Sequence, residues 1–344
     1  MKKILFTLSV LALAVFSACS KTEVAQIPQE AEYEDLVIDV GIPEDATTRA
    51  TSGTTVVGQE ATISGVQIAI FDASGNLAAY KNSTGSTASF SFSLRTGVIY
   101  TACAVVNGPS VQGKTSLSEI EAVTYTFGDY NDPSADFAMY GKSTMSAALS
   151  SSNKSISISA ERNVCRVNLV SCTVTKPTGA TGTYAYGYAF LSNIPKTLKV
   201  SGATVATSAT NNLNWYGRQT LATTGTIIDG STYTSTPTWD YSAASCPVYF
   251  YAGPNAASDA ITAYQTTWAA TATRLVVVAT WAGTTYYYPV AIPATAKNTC
   301  YDVTMTITGP GITDPQGPIP SNTSLSVSVS VAGWTAGTAY TPSY

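Results

Sequence analysis

The sequence contains no histidine in 344 residues. That absence removes the commonest general base, the Ser-His and Cys-His nucleophile pairs, and most zinc sites. Any catalysis would have to use carboxylates, lysine or tyrosine. Charge is scarce too: Asp, Glu, Lys and Arg make up 11% of the chain, with a net charge of −4. There is no basic stripe, and a pI near 4.9 argues against nucleic acid as a partner. Long Ala-Leu-Glu-Lys segments of helical period are missing, and no two cysteines stand in a Cys-x-x-Cys pair. What is present is 45% hydrophobic residues, enough for packed cores, on a chain whose length suits two domains. Ser, Thr, Val and Tyr are prominent, in runs broken by Gly, Pro, Asn and Asp. Such runs suit pleated, half-buried strands and predict an all-β fold with few short helices.

The start of the chain reads as an export signal. Met1-Lys2-Lys3 is positive, and Ile4 to Phe16 is a mostly apolar run too short to cross a membrane. Phe16-Ser17-Ala18-Cys19 resembles a bacterial lipobox, with Phe16 in place of the preferred Leu. Cleavage before Cys19 would leave that cysteine acylated and the precursor held transiently on an outer membrane. The other cysteines are Cys103, Cys165, Cys172, Cys246 and Cys300, an odd number that cannot all pair within one chain. Buried free thiols are the preferred reading, with one disulfide left open.

Residues 1–18 are thus expected to be a signal peptide and 19–49 a lipidated propeptide. Strands are expected at Tyr33 to Ile42, Val66 to Phe71, Leu77 to Tyr80, Ser89 to Leu94 and Val98 to Val106. Ser116 to Ala122 reads as a short helix, and Ser155 to Val174 as one long strand-like stretch ending at Lys176-Pro177. A domain boundary is placed there, giving an N-terminal sandwich over 50–176 and a C-terminal one over 177–311. The second half repeats the style, with strands at Tyr184 to Leu191, Lys199 to Val205, Val248 to Ala252, Leu275 to Trp281, Thr285 to Ile292 and Tyr301 to Ile307. Ala282-Gly283-Thr284 reads as a hairpin turn. Residues 312–344 are a Pro/Gly-rich linker followed by one solitary strand, Leu325 to Trp334.

Two of these strands are near equivalents. Leu36, Ile38, Val40 and Ile42 fall on one face of the first; Leu325, Val327, Val329 and Val331 fall on one face of the last. Between the first strand and the first domain lies the polar loop Asp45 to Gly53, which contains Arg49-Ala50. Proteases cut such loops, and a cut after Arg49 would detach the lipid-anchored strand. The groove left behind would suit the terminal strand of another copy, with backbone ladders supplying affinity and alternate side chains the register. Such head-to-tail contacts propagate into a filament. On pattern alone the alternative stays open that both are ordinary edge strands of their own domains.

Several segments, in order, resemble one family. They are Val66-Gln67-Ile68-Ala69-Ile70-Phe71-Asp72 with Gly75; Gly97 to Asn107, a strand ending in Asn; Phe137-Ala138-Met139-Tyr140-Gly141; Glu161-Arg162-Asn163-Val164-Cys165-Arg166-Val167; and Lys297-Asn298-Thr299-Cys300-Tyr301-Asp302-Val303 followed by Ile307 to Gly311. Together they are similar to the fimbrillins, the type V pilins of Bacteroidales-type fimbriae, with Cys165 in place of a small residue and Lys297 in place of Arg. The resemblance implies two tandem β-sandwich domains of transthyretin-like, Greek-key type. It also implies lipoprotein export, cleavage after Arg49 by a trypsin-like Arg-specific protease, and polymerisation by donor-strand exchange with copies of itself and other fimbrial subunits. Leu325, Val327, Val329, Val331 and Trp334 would form the donor strand of a shaft subunit. No cofactor, metal or catalytic residue is expected. Adhesion or biofilm formation would follow.

Other signals point elsewhere. Gly108-Pro109-Ser110-Val111-Gln112-Gly113-Lys114-Thr115 is a literal Walker A pattern, but it lies in a β-rich, export-directed chain with no Walker B strand, and reads as a surface loop. Aromatic clusters at Trp215-Tyr216, Trp239-Asp240-Tyr241, Trp268 and Tyr286-Tyr287-Tyr288 suit core packing or glycan stacking. The second possibility defines the alternative function, a monomeric glycan-binding surface lipoprotein that stays acylated. Among the carboxylates, Asp35, Asp39, Glu44 and Asp45 crowd the removable segment, and Glu119 and Glu121 sit on the short helix. Asp129, Asp132 and Asp136 fall in one loop without EF-hand spacing, while Asp229, Asp240, Asp259 and Asp314 are single. None forms a convincing catalytic pair.

Overall fold

The computed structural model describes residues 31–42, 60, 62–127, 137–174, 184–205, 213–217, 227–228, 248–259, 269, 271–314, 317 and 325–333. The chain divides into two units, Met1–Glu32 and the compact Tyr33–Tyr344. It is almost entirely β, as the sequence predicts. The first part of the larger unit carries β1 (Tyr33–Gly41), β2 (Gly65–Phe71), β3 (Leu77–Thr84), β4 (Ser89–Arg95), β5 (Thr101–Val106), the helix α1 (Leu117–Glu121), β6 (Thr124–Thr126), β7 (Met139–Thr144), β8 (Ser155–Ser159) and β9 (Glu161–Arg162). The second part carries β10 (Cys165–Val174), β11 (Tyr184–Pro195), β12 (Thr197–Lys199), β13 (Leu213–Gly217), β14 (Ile227–Ile228), β15 (Val248–Ala252), β16 (Arg274–Trp281), β17 (Thr284–Ala291), β18 (Thr299–Ile307) and β19 (Leu325–Gly333).

The first part builds a three-stranded sheet, β4-β1-β8, and a five-stranded sheet, β3-β2-β5-β7-β9. β4 and β8 alternate strictly between exposed and buried residues, which turns Phe90, Phe92, Leu94, Ile156 and Ile158 inward. The sheets approach closely at Gly141 in β7, where a Cβ would stand 2.3 Å from the Ser159 carbonyl oxygen and 2.7 Å from Ile158 Cγ2. Only a residue without a side chain fits there. The second part builds a four-stranded sheet, β15-β10-β18-β19, and a five-stranded sheet, β14-β13-β11-β16-β17. Buried apolar residues of both parts form one continuous core cluster. A short antiparallel pair, β6 with β12, ties the first part to the second.

The stretch Ser155 to Val174, expected as one long strand, is broken into β8, β9 and β10. β10 pairs with β15 and β18 in the second part. Sheet membership therefore changes between Arg162 and Cys165. The break is made by Asn163, whose backbone N–H bonds the Ala138 carbonyl while its amide bonds the Val200 carbonyl at 2.9 Å. The hairpin between β16 and β17 turns on two residues, Ala282 (φ 48°) and Gly283 (φ 80°). Positive φ at both positions matches the right-handed twist of the flanking strands. Among the described residues, no helix is long and apolar enough to cross a membrane; Ile4 to Phe16 lies outside them.

Candidate functional site

β1 is a central strand. It pairs antiparallel with β4 and parallel with β8, so its backbone is laddered on both sides. Val40 donates to the Ala88 carbonyl at 2.7 Å on one side, and Val37 to the Lys154 carbonyl at 2.9 Å on the other. Its side chains follow the predicted alternation. Leu36 and Ile38 are fully buried, Val40 is 4% exposed, and Ile42 packs half-buried against the same core. Leu36 sits opposite Phe92, Ile38 lies between Phe90 and Ile156, and Val40 lies beside Ile158. Burying three such aliphatics contributes roughly 5–9 kcal/mol, an upper estimate. At the start of β1, Lys154 bonds Glu34 at 3.0 Å, a solvent-accessible ion pair of small value. A sheet whose middle strand is removed is left with a slot carrying unpaired backbone on both walls.

β19 is an edge strand. Among the described residues its one partner is β18, antiparallel, with Leu325 beside Ile307, Val327 beside Met305, Val329 beside Val303 and Val331 beside Tyr301. Leu325 (6% exposed) and Val329 (1% exposed) are buried, and Val327 and Val331 are half-buried. Cys19, Arg49, Ala50 and Trp334 lie outside the described residues.

The first described residue after the Arg49 loop is Glu60, which sequence reasoning missed. It is completely buried. Both of its carboxylate oxygens accept from Arg166 Nη1 at 3.0 Å, and Tyr251 Oη donates to Oε1 at 2.6 Å. Arg162 Nε donates to the Glu60 carbonyl at 2.7 Å, while Arg162 Nη1 reaches Asn298 Oδ1 at 3.3 Å. This cluster fastens the chain downstream of the loop to strands of both parts. It gives physical content to the family-like segments, since Arg162 and Arg166 are its cations and Asn298 one of its acceptors. Asn298 (φ 51°) and Asn107 (φ 50°) hold left-handed turns. Asn107 Oδ1 accepts from the Ser64 and Gly65 amides at 2.9 and 3.2 Å, so it closes the strand it ends. No signal in the sequence marks Glu60, because a single acid in a polar stretch has no pattern.

The competing motifs resolve into structure. In the Walker-like loop, Glu119 Oε2 accepts from the Thr115 amide at 2.8 Å and the Thr115 hydroxyl at 3.1 Å, and Glu119 closes a capping box with Ser116. A carboxylate thus holds the groups a phosphate and its magnesium would need. Glu121 accepts from Lys142 and from Tyr140 Oη at 2.8 Å each. Asp259 pairs loosely with Arg274 at 3.9 Å. Among the described residues, no group of His, Cys, Asp and Glu could hold a metal. Tyr288 is core and donates to the Gly309 carbonyl, whereas Tyr286 and Tyr287 are half-buried. Trp215 and Tyr216 lie in β13; Trp239, Asp240, Tyr241 and Trp268 lie outside the described residues, as do Glu44, Asp45, Asp129, Asp132, Asp136, Asp229 and Cys246. Cys103, Cys165 and Cys300 are buried free thiols, and Cys172 is buried. Burial pushes the Cys103 and Cys300 thiols up to about 12.

No protein-family model matches the chain. A search of curated proteins finds no match. Solved structures do match. A protein assigned to cell adhesion from Bacteroides eggerthii superposes with a TM-score of 0.61 at 20% identity, covering 88% of this chain and 97% of that one. Another assigned to cell adhesion, from Parabacteroides distasonis, superposes with a TM-score of 0.60 at 14% identity, covering 89% and 100%. A fimbrilin from Porphyromonas gingivalis W83 superposes with a TM-score of 0.59 at 17% identity, covering 88% and 97%. These likenesses run over nearly the whole length of each chain, and the fold of this protein is that of the fimbrilins.

Proposed function

We propose that the protein is a structural subunit of a surface fimbria that polymerises by donor-strand exchange. The observation that carries this reading is the position of β1, a central strand with Leu36, Ile38 and Val40 buried between β4 and β8 and followed in sequence by the segment that contains Arg49. The precursor is exported, acylated on Cys19 and held on the outer membrane. An Arg-specific protease cuts after Arg49, and the lipid and β1 leave together. Glu60 stays clamped by Arg166 and Tyr251, so the cut does not release the chain beyond it. β19 of another copy detaches from its edge and enters the slot, where Leu325, Val327, Val329 and Val331 take over the inward positions. The exchange stabilises a filament because β19 gives up one ladder and gains two. The two sandwiches form the body of the shaft subunit, and the fimbria serves adhesion.

Mass spectrometry of the protein sheared from cells tests the reading. A mature N-terminus at Ala50 is expected. An N-terminus at acylated Cys19 in the sheared material would overturn it and leave a lipoprotein whose slot is filled by its own strand.

A further inference from the structure

The exchange needs an incoming strand to choose the slot over every other open backbone. The first part offers a competing template. β4 is the outer strand of its sheet, and among the described residues nothing pairs with its far side. Its sequence, Ser-Phe-Ser-Phe-Ser-Leu-Arg, is uncharged until its last residue and strictly alternating. An edge of that kind recruits strands without discrimination.

The register shows which backbone groups are open. Val40 donates to the Ala88 carbonyl, so the Val40–Ala88 pair is hydrogen-bonded. Alternation in an antiparallel ladder then directs the backbone groups of Phe90, Phe92 and Leu94 at β1, and those of Ser89, Ser91 and Ser93 outward. Ser91 is the central residue of that open edge. Lys81, on β3 of the opposite sheet, donates its amine to the Ser91 carbonyl. The same amine lies 4.8 Å from the centroid of the Phe92 ring, which holds it by a cation–π contact. β3 is itself the outer strand of its sheet. One lysine thus spans the open side of the sandwich, occupies the middle acceptor of the β4 edge, and puts a charge where an arriving apolar strand would lie.

We infer that Lys81 is a specificity-determining guard that closes the outer edge of β4 to a second copy's terminal strand and so leaves the β1 slot as the one productive acceptor. This rests on the strand-exchange reading. The carbonyl of Ser91 is satisfied from within, and an incoming strand must strip the ammonium from both the carbonyl and the ring before it can pair. The slot has no such obstacle once β1 is gone.

The test uses the full chain and a fluorescent synthetic peptide with the sequence of residues 325–333. Wild type and Lys81→Ala are compared, each intact and each cut after Arg49, with Lys81→Arg as a control that keeps the charge and the ring contact. Cut wild type is expected to bind the peptide, and intact wild type is not. Intact Lys81→Ala is expected to bind at least roughly tenfold more peptide than intact wild type, the scale of one charged hydrogen bond. Hydrogen exchange should then show new protection of the Ser91 and Ser93 amides. Lys81→Arg should behave as wild type. If cut wild type binds the peptide while intact Lys81→Ala stays as closed as intact wild type, the guard is overturned and strand exchange stands. If cut wild type does not bind, strand exchange itself is overturned, and the guard with it.

Discussion

β1 and β19 present the same aliphatic alternation and have the same length, nine residues each, yet they sit in different surroundings. β1 has a neighbour on each side, one antiparallel and one parallel; among the described residues β19 has one, antiparallel. β1 carries Asp35 and Asp39 toward solvent, whereas β19 carries serines between its aliphatics. An edge strand can leave a sheet without opening a gap in it, because its neighbour becomes the new edge. A central strand cannot leave without exposing two walls. Under the proposed exchange, that asymmetry is why a covalent cut would be needed on one side and none on the other.

The largest effect expected is on assembly. Arg49→Ala should abolish filaments in electron micrographs and leave the full-length acylated precursor; filaments of normal number would break the link between cleavage and exchange. Next comes removal of each strand. A chain ending at residue 324 should remain folded as a cut monomer, with a small fall in melting temperature. A cut chain freed of β1, with no donor present, should lose on the order of 5–9 kcal/mol of apolar burial and bind a hydrophobic dye. Equal losses for the two would erase the difference between centre and edge.

Glu60→Gln should cost about 3–5 kcal/mol in urea unfolding, since it leaves the buried Arg166 guanidinium uncompensated. The cut form should suffer at least as much, because Glu60 then holds the new N-terminal segment. Ile38→Ala should cost about 2–5 kcal/mol, and Val327→Ala, half-buried on an edge, about 1 kcal/mol or less. The smallest effect belongs to the ion pair at the start of β1, where Lys154→Ala should change stability by about 0–1 kcal/mol. A loss beyond that range would mean the charged rim, and not the buried face, holds β1.

The two strands were legible in the sequence because a clean period of two survives any context. Their ranks in the sheets were not, since β1 meets its parallel partner β8 from far along the chain, with Val37 beside Ser155, and no local pattern announces that pairing. β8 and β10 read as one stretch because neither glycine nor proline separates Ser155 from Val174. The break at Asn163-Val164 is set by contacts to Ala138 and Val200, which only folding brings near. The short helix was legible from Ser116 and Glu119, which form its capping box. Val98 and Ile99, expected in a strand, lie ahead of β5, just after the turn that Gly97 (φ 77°) makes. Glu60 and Lys81 were invisible because a single charged residue acquires its meaning only from partners brought to it by folding.

The central claim is that β19 of one copy takes the place of β1 in another. Ser157 on β8 faces solvent beside Asp39 of β1, and in its own chain Ser328 lies beside Thr304 of β18. Filaments should be assembled from Ser157→Cys combined in turn with Ser326→Cys, Ser328→Cys or Ser330→Cys, oxidised, and run on a denaturing gel. At least one combination should give a covalent ladder of subunits, with the intact precursor remaining monomeric. Filaments that assemble normally and yield no ladder in any of the three would contradict the claim.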